Sequence, residues 1–489
     1  MLASTSSLNP IVALDALQLS RAIHQRHYSC VEVMQAYLSH IAVINPQVNA
    51  LVSLQDEEGL LQQAAQCDAE LHAGKSRGWM HGMPQAIKDL SATQGIPTTM
   101  GSPLYQNHIP AADSIMVARM RSAGAIVIGK TNTPEFGAGS HTYNAVFGAT
   151  GNAYDPARSA GGSSGGAAVA LALRMLPVAD GSDMMGSLRN PAAFNNVFGF
   201  RPSWGMVPLG SSPELFLQQL ATEGPMGRSV PDVLALLRTQ MGPDSRAPLA
   251  CAPSLPEQSL EQDFGACRLG WLGDWNGYLP MEQGVLSQCE IVLSDFTALG
   301  CSVEACSIDF DPSSLWESWA VHRHWLMAGS LYADYQDPAR RCQLKPELLW
   351  EIEGGLQLSA LDVYRASRIR SDWYRAVLRL FEDYDFLLLP SAQVYPFALE
   401  QHWPRMIAGR VMSSYHRWME VVIGPTMAGL PVMNVPVGFG SQGLPMGLQI
   451  IGRPHGDMAV LQLAHAYDQQ CQWVQRFLPS LLHRSADVV

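Results

Sequence analysis

AGGSSGG at residues 160–166 leads directly into AAVALALRML at residues 167–176, the most apolar helical segment of the chain. A flexible linker does not normally begin a buried helix. Glycines allow close backbone approach and unusual torsion angles, and the first turn of a helix offers free N–H donors. The run lacks the Lys-Ser/Thr ending of a P-loop and the spacing of a Rossmann fingerprint, which argues against a nucleotide site.

Two other segments carry reactive side chains. Upstream, AIKDL at residues 86–90 places a single lysine, Lys88, in an apolar, strand-like segment. Downstream, DGSDMMGSLRNP at residues 180–191 is a tight loop with Ser187 between small residues. A lone lysine in such a segment is usually a surface residue at a strand end, so only the combination of segments indicates a site.

Together these segments closely resemble the amidase signature family, whose members share a lysine in a short apolar strand, a GGSSGG loop and a serine loop ending G-S-[IL]-R-x-P. Lys88 precedes Ser163 by 75 positions, and Ser163 precedes Ser187 by 24, which suits that layout. The resemblance runs from about residue 10 to 475 and is weakest from 240 to 380. Further similar segments are GKTN at 129–132, FGFRPS at 198–203, AGLP at 428–431 and GLPMGLQ at 443–449.

The resemblance implies an α/β amidase signature fold, with a large mixed, mostly parallel central sheet covered by helices on both faces. It also implies an amidohydrolase acting on linear amides. Ser187 would attack the carbonyl to form an acyl-enzyme, while Ser163 would pass its proton to neutral Lys88 and later return it to the leaving amine. Physical chemistry agrees, because a hydroxyl needs a positioned base and a lysine can be that base only when desolvation lowers its pKa.

In the family the middle serine follows a cis peptide, here Gly162-Ser163, and backbone N–H groups form the oxyanion hole. Those donors would be Met184, Met185, Gly186 and Ser187. Relatives often carry Gly-Gly before the nucleophile, whereas this chain has Met185-Gly186. Met185 either strains the loop, if positive φ is required there, or simply lines an apolar pocket; we favour the pocket.

The charges beside the nucleophile, Asp183 and Arg189, are expected to form a buried pair that braces the loop, although substrate-binding charges are the alternative reading. Histidines His81, His141 and His322 lie near the motif segments, and histidine is the commonest base in hydrolases. None has partner spacing typical of a metal site. We therefore expect them to be structural or to line the pocket.

Substrate choice in the family comes from the loop at residues 134–139 and from the variable helical region. Gly137 and Ala138 are the tentative substrate contacts in that loop, which is small and uncharged around Gly137. A small neutral amide with an apolar or aromatic acyl part is therefore predicted. The helical region is rich in tryptophan: Trp316, Trp319, Trp325, Trp350 and Trp373.

The composition of the 489-residue chain excludes several classes of protein. A formal charge of -12 without a basic cluster argues against nucleic acid as a partner, and the sequence shows no membrane span or signal peptide. Nine cysteines without a C-x-x-C pair indicate reduced thiols, hence a cytoplasmic location and no metal site. No cofactor is expected, and the resemblance suggests a homodimer.

Three rival functions remain at this point: the amidase-like A-type component of a transfer-RNA amidotransferase, a catalytically weakened or silent protein on the same fold, and a nucleotide-binding enzyme. Each differs from a simple amidase in a measurable way. The amidotransferase would depend on partner subunits and glutamine, the silent protein would resist serine-directed probes, and the nucleotide enzyme would bind ATP or NAD.

Four regions are predicted along the chain. Residues 1–75 form an N-terminal helical segment, with a capping box at Ser29 to Glu32 and a helix from about Asp56 to Gly74. Residues 76–240 form the catalytic core. Residues 241–380 hold a linker (241–262), a βαβ-like insertion with a helix from about 281 to 299, and the variable helices. Residues 381–489 add strands and a final helix near 457–470 to the same α/β domain.

Overall fold

The computed structural model describes residues 8–210, 214–251, 255 and 259–484. Strands in this part of the chain are, in order, β1 (Leu51–Val52), β2 (Pro84–Lys88), β3 (Ile126–Thr131), β4 (Tyr143–Asn144), β5 (Gly148–Ala149), β6 (Ala179–Asp183), β7 (Phe198–Arg201), β8 (Thr222–Gly227), β9 (Arg268–Trp271), β10 (Ser302–Ala305), β11 (Phe386–Pro390), β12 (Met406–Ile407), β13 (Arg410–Val411), β14 (Val432–Phe439) and β15 (Pro445–Gly452).

The helices in the same residues are α1 (Pro10–Ala13), α2 (Ala16–His24), α3 (Cys30–Val48), α4 (Glu57–His72), α5 (Ile115–Ser122), α6 (Gly165–Ala172), α7 (Arg189–Phe194), α8 (Val230–Gln240), α9 (Val285–Ile291), α10 (Leu293–Ala298), α11 (Pro312–Gln336), α12 (Pro338–Arg341), α13 (Pro346–Leu356), α14 (Ala360–Asp383), α15 (Ile423–Met427), α16 (Asp457–Cys471), α17 (Trp473–Arg476) and α18 (Leu481–Arg484). Short 3₁₀ helices lie at Pro103–Tyr105, Glu135–Gly137 and Arg417–Val422.

The largest sheet has eight strands in the order β10-β9-β11-β15-β14-β7-β8-β6. Its central strands β14 and β15 are buried at nearly every position, so both faces are covered. The predicted mixed α/β sheet is therefore confirmed. The expectation that it is mostly parallel is wrong: β9 pairs in parallel with β10 and β11, and the other pairings are antiparallel. Tight turns such as the one joining β14 to β15 force neighbouring strands to reverse direction.

Lys88 ends a strand of a different sheet. The three-stranded sheet β1-β3-β2 contains the parallel pair of β2 and β3, connected through α5 as the alternating pattern predicted. Every residue of β2 is buried. The lysine is therefore carried into the interior by an apolar strand and does not lie at a surface strand end.

Local expectations mostly hold. Ser29 caps α3, since its Oγ accepts from Glu32 N at 3.1 Å while its own N–H donates to the Glu32 carboxylate at 2.8 Å. The single helix expected at 281–299 is instead α9 and α10, and it begins only after Gly284, whose φ of +94° is not helical. The predicted βαβ-like unit consists of β9, α9, α10 and β10, and its two strands lie at one end of the main sheet.

The helices predicted in the C-terminal half of the chain are present. Residues 313–380 fold as the helices α11 to α14, and α16 covers the predicted final helix. The described part of 241–262 has no regular helix or strand, and residues 252–254 and 256–258 of that predicted linker lie outside the described residues. Among the described helices, none combines the length and apolar character needed to cross a bilayer.

Candidate active site

Three serines surround the amine of Lys88. Lys88 Nζ lies 2.7 Å from Ser163 Oγ, 2.8 Å from Ser164 Oγ and 3.0 Å from Ser182 Oγ. The peptide bond between Gly162 and Ser163 is cis, as the family resemblance implied. A neutral amine can donate two hydrogen bonds and accept one, so this arrangement lets Lys88 accept the Ser163 proton.

Burial lowers the pKa of Lys88 from its ordinary value of 10.5 to about 7, against the opposing effect of the carboxylates of Asp180, Asp183 and Glu223. The Asp180 carboxylate accepts from the Lys88 backbone N–H at 3.1 Å. Burial also raises the pKa of Glu223 to about 7, so this carboxyl is only partly ionised near neutral pH. Lys88 is therefore available as a neutral base under ordinary conditions.

Ser187 lies in the turn between β6 and α7, beside this group. Its carbonyl accepts from the Ser164 N–H at 3.3 Å, and its side chain is 7% exposed, against 3% for Ser163. Both hydroxyls belong to the described part of the chain, and no hydrogen bond joins Ser163 Oγ to Ser187 Oγ. The relay from Ser187 to Ser163 that the family resemblance implied would require the two side chains to approach when substrate is bound, as is common for catalytic contacts.

The predicted oxyanion donors divide into two sets. The N–H of Gly186 donates to Asp183 Oδ1 at 2.9 Å, so it is already occupied and does not suit the role predicted for it. Within the described residues no acceptor is found for the N–H groups of Met184, Met185 and Ser187. These three donors remain the candidates for an oxyanion hole.

The positive φ in this turn falls at Gly186, at +78°, and neither Met184 nor Met185 is among the described residues with positive φ. A Cβ on Gly186 would lie 2.8 Å from a methyl group of Val422. Glycine is therefore required at 186 but not at 185. The geometry favours the interpretation that the methionine side chains line the pocket without straining the loop.

Asp183 and Arg189 form the buried pair that was predicted to brace the loop. Arg189 donates to both Asp183 oxygens, at 3.0 Å and 2.9 Å, and Arg201 also contacts Asp183. Although burial raises it, these two guanidiniums hold the pKa of Asp183 well below its usual range. Arg189 also donates to the Val422 carbonyl at 3.0 Å and to Gln449 Oε1 at 2.6 Å, which fixes α7 to the C-terminal strands.

A small cavity lies against Ser187. Besides Ser187, its wall contains loop residues 137, 139 and 140, the two methionines before the nucleophile, and side chains from distant segments: Trp319, Arg323, Tyr415 and His416.

The Amidase family model matches residues 32–461 of the chain. The chain belongs to the amidase signature family. It is 31% identical over 468 residues to an acylamidase of Rhodococcus erythropolis, an alignment covering 95% of this chain and 96% of that protein. It is also 32% identical over 482 residues to the A-type component of the glutamyl-tRNA(Gln) amidotransferase of Thermosynechococcus vestitus, covering 94% and 98%.

Solved structures with the same fold superpose on nearly the whole length of this amidase. A bacterial aryl acylamidase of the amidase signature enzymes superposes with a TM-score of 0.90 at 26% identity, covering 98% of this chain and 100% of that one. A 6-aminohexanoate cyclic dimer hydrolase superposes with a TM-score of 0.85 at 24% identity, covering 97% and 100%. The protein is an amidohydrolase by family.

The two predicted substrate contacts, Gly137 and Ala138, lie in different environments in this amidase. Gly137 lines the cavity, has a φ of +67°, and a Cβ there would lie 3.5 Å from Ser163 Oγ. Ala138 is buried against α13, and its carbonyl accepts from Lys345 Nζ. The structure therefore does not support Ala138 as a substrate contact, because its side chain points into the packing of the helical region.

The three histidines are held by protein hydrogen bonds. His141 pairs with Ser159 Oγ at 2.8 Å and with the Leu399 carbonyl at 2.9 Å, and burial lowers its pKa to about 4. His322 bonds the Ser318 carbonyl at 2.7 Å. Neither nitrogen of His141 is left to act as a base toward Ser187.

His81 belongs to a different environment. It lies with Cys67 and Glu70 in a cluster whose donor atoms are within 4.8 Å of one another, the single such group found among the described residues. Its Nε2 bonds the Cys67 carbonyl at 2.9 Å, and its Nδ1 accepts from Arg77 N at 3.0 Å. Glu70 is paired with Arg77. The imidazole and the carboxylate of this cluster are thus engaged by the protein itself.

Sequence reasoning missed the far wall of the cavity. Trp319 was among the tryptophans expected to shape the pocket, but Arg323, one turn further along α11, was not noticed. Arg323 Nε donates to Glu351 Oε1 at 3.0 Å, and Tyr415 OH donates to the same oxygen at 2.7 Å. The period of α11 places residues 319 and 323 on one face, which is the signal that could have suggested Arg323.

Proposed function

We propose that this amidase hydrolyses the C–N bond of small, uncharged carboxamides with an apolar or aromatic acyl part, through an acyl-enzyme on Ser187. The observation that carries the proposal is the buried Lys88 amine, which lies 2.7 Å from Ser163 Oγ and has its pKa lowered by burial to about 7. A lysine that is neutral near physiological pH and bonded to a hydroxyl is a base for serine activation.

The first half-reaction forms the acyl-enzyme. Ser163 transfers its hydroxyl proton to Lys88 Nζ and takes the Ser187 proton, while Ser187 Oγ bonds to the carbonyl carbon. The carbonyl oxygen becomes an oxyanion, for which the free N–H groups of Met184, Met185 and Ser187 are the donors. Lys88 then returns its proton through Ser163 to the amine nitrogen, and the C–N bond breaks.

The second half-reaction repeats the relay with water. Water gives a proton to the same pair, Ser163 and Lys88, as its oxygen attacks the ester carbonyl. The proton returns to Ser187 Oγ as the ester bond breaks, which releases the carboxylic acid and restores the enzyme.

The wall of the cavity supports the choice of substrate. Trp319 and Tyr415 are aromatic, and the thioethers of Met184 and Met185 are apolar and adaptable. Arg323 carries a positive charge in that wall. Its Nε forms a salt bridge with Glu351 Oε1 at 3.0 Å. The pair is neutral overall, so an uncharged acyl group fits this wall better than a charged one.

A second candidate is the A-type component of an amidotransferase, favoured by the 32% identity to such a protein. That function would use glutamine, whose carboxylate and ammonium need matching charges. The paired Arg323 and Glu351 do not present such charges in the cavity wall. Release of ammonia from glutamine only in the presence of partner subunits would support this candidate.

The test is a panel of amides assayed for amine or ammonia release, combined with labelling by a fluorophosphonate probe. Wild-type protein should hydrolyse neutral aryl and alkyl amides and be labelled at Ser187, whereas Ser187→Ala should do neither. Ser20→Ala is the matched control, because Ser20 is also 7% exposed and its hydroxyl donates to the Trp79 carbonyl instead of to a group of this site. Hydrolysis that persists in Ser187→Ala would disprove the mechanism, and absence of labelling would indicate a silent protein.

A further inference from the structure

Arg323 occupies an unusual position for a buried cation. It projects from α11 into the wall of the cavity that contains Ser187, and it is only 7% exposed. Its Nε donates to Glu351 Oε1 at 3.0 Å and its Nη2 donates to Tyr415 OH at 3.2 Å. Two of the three guanidinium nitrogens thus have oxygen partners within the protein.

The remaining terminal nitrogen meets a poor partner. Arg323 Nη1 lies 3.0 Å from the Met184 sulfur, three positions before the nucleophile. A thioether is a weak acceptor, whereas a buried guanidinium N–H forms strong hydrogen bonds with oxygen. The ligand-free site therefore contains a charged donor whose hydrogen-bonding capacity is not met by the protein.

His416 provides a second, independent indication that this wall binds a ligand. It lines the same cavity, is 4% exposed, and has Nδ1 bonded to Ser414 Oγ at 2.9 Å. Its Nε2 lies 3.5 Å from Glu351 Oε1, beyond a well-formed hydrogen bond, and has no other partner among the described residues. Two buried polar groups, Arg323 and His416, thus converge on one wall without adequate partners.

Charge decides what kind of ligand fits. Glu351 already supplies the negative charge that Arg323 requires, and Tyr415 donates to the same carboxylate oxygen. A substrate carboxylate would add a second buried anion next to Glu351. An uncharged oxygen, such as a ketone, ether or amide carbonyl, can accept the Arg323 N–H without that penalty.

We propose that Arg323 is a specificity-determining residue that binds an uncharged oxygen acceptor on the acyl part of the substrate. This inference rests on the proposed hydrolysis at Ser187 and narrows its substrates to carboxamides with such an oxygen distant from the scissile bond. On binding, that oxygen replaces the Met184 sulfur at Arg323 Nη1. Glu351 and Tyr415 act as positioning residues, because they hold the guanidinium without contacting the substrate.

Three amides of similar size test the proposal: levulinamide carries a ketone, isocaproamide an apolar branch and succinamate a carboxylate. Wild-type kcat/KM should favour levulinamide over isocaproamide roughly tenfold, the usual effect of a hydrogen bond to a charged group, and should be lowest for succinamate. Binding of the same amides to Ser187→Ala, measured by calorimetry, gives the order without turnover.

Two variants separate the role of Arg323 from a structural one. Arg323→Met combined with Glu351→Gln removes both charges, so no unpaired ion is left buried, and should bring the levulinamide preference close to onefold. Met184→Leu removes the competing sulfur and should increase that preference by about threefold.

The outcomes distinguish this inference from the proposed function. Hydrolysis with an unchanged preference in the double variant, or a preference for succinamate, would overturn the role of Arg323 while leaving hydrolysis at Ser187 intact. Failure of all three amides to bind Ser187→Ala would also overturn it. Loss of hydrolysis across every amide of the broad panel, by contrast, would count against the proposed function itself.

Discussion

Replacing Lys88 with methionine should abolish hydrolysis and at the same time stabilise the fold near neutral pH. The folded lysine has a pKa of about 7, whereas in the unfolded chain it keeps its ordinary value of 10.5. Between these values folding releases a proton, so raising the pH stabilises wild type by about 1.4 kcal/mol per pH unit, or about 5 kcal/mol over the window.

At and below about pH 7 the full penalty applies to wild type and is absent from Lys88→Met. Loss of the hydrogen bonds to Ser163, Ser164 and Ser182 offsets part of this gain, at about 1 kcal/mol each. Near neutral pH we therefore expect Lys88→Met to be more stable by about 2 kcal/mol.

Denaturant unfolding of both proteins between about pH 7 and about pH 9 measures this effect, because wild type should gain about 3 kcal/mol relative to the variant over that range, which is enough to reverse the order of stability. In parallel, wild-type kcat/KM should fall about tenfold for each pH unit below about 7, as Lys88 becomes protonated. A stability difference independent of pH, or activity that stays level down to about pH 5, would refute the reasoning. Lys130→Met is the control. Lys130 is also buried, but its amine donates to the Ser91 carbonyl and to two threonine hydroxyls and not to the serines around Lys88. The Lys130→Met variant should therefore keep the hydrolytic activity of wild type.

Three further substitutions test the nucleophile loop. Gly186→Ala should lower kcat about a hundredfold by displacing the oxyanion donors. The control is Gly443→Ala, which should leave kcat unchanged because Gly443 also has a positive φ, +71°, but has open space around it. Equal effects of the two substitutions on kcat would contradict this prediction. Arg189→Met should destabilise the fold by about 3 kcal/mol, because the buried Asp183 carboxylate loses both hydrogen bonds from Arg189 and keeps only Arg201 as its charged partner. Adding Asp183→Asn leaves the buried Arg201 unpaired and should lower the melting temperature further. Met185→Gly should keep the turnover of small amides within about threefold of wild type. It should lower kcat/KM for bulky apolar amides about tenfold, because apolar contact with the methionine is lost. Inactivity toward every amide would mean that Met185 is needed to position the backbone N–H donors of the oxyanion hole.

The three residues proposed for catalysis could be singled out because each stands in a short, distinctive segment that resembles the amidase signature family. The structure brings Lys88 and Ser163 within 2.7 Å of each other. The Arg323 wall could not be found in this way, since its contact with Met184 joins positions 139 residues apart and no local pattern records it. The packing of Ala138 against the helical region was not foreseen for a related reason, because a loop sequence does not show which way each side chain points.

Strand direction was the main error in the fold. Alternating apolar residues identify a strand but say nothing about its neighbour, and β7 pairs with β14 across more than two hundred residues. The alternation of strands and helices in the core correctly indicated the parallel pair β2 and β3. It was then extended to the main sheet, where hairpins and returning strands give antiparallel neighbours.

The bonds from Arg189 to the Val422 carbonyl and Gln449 have a consequence for synthesis of the protein. A chain emerging from the ribosome carries the three side chains proposed for catalysis once residue 189 has been made, yet the Arg189 guanidinium still lacks its C-terminal acceptors. Hydrolytic activity should therefore begin only after β15 has been translated and paired. With such a delay, Ser187 should not react before the cavity wall formed by the C-terminal half is in place.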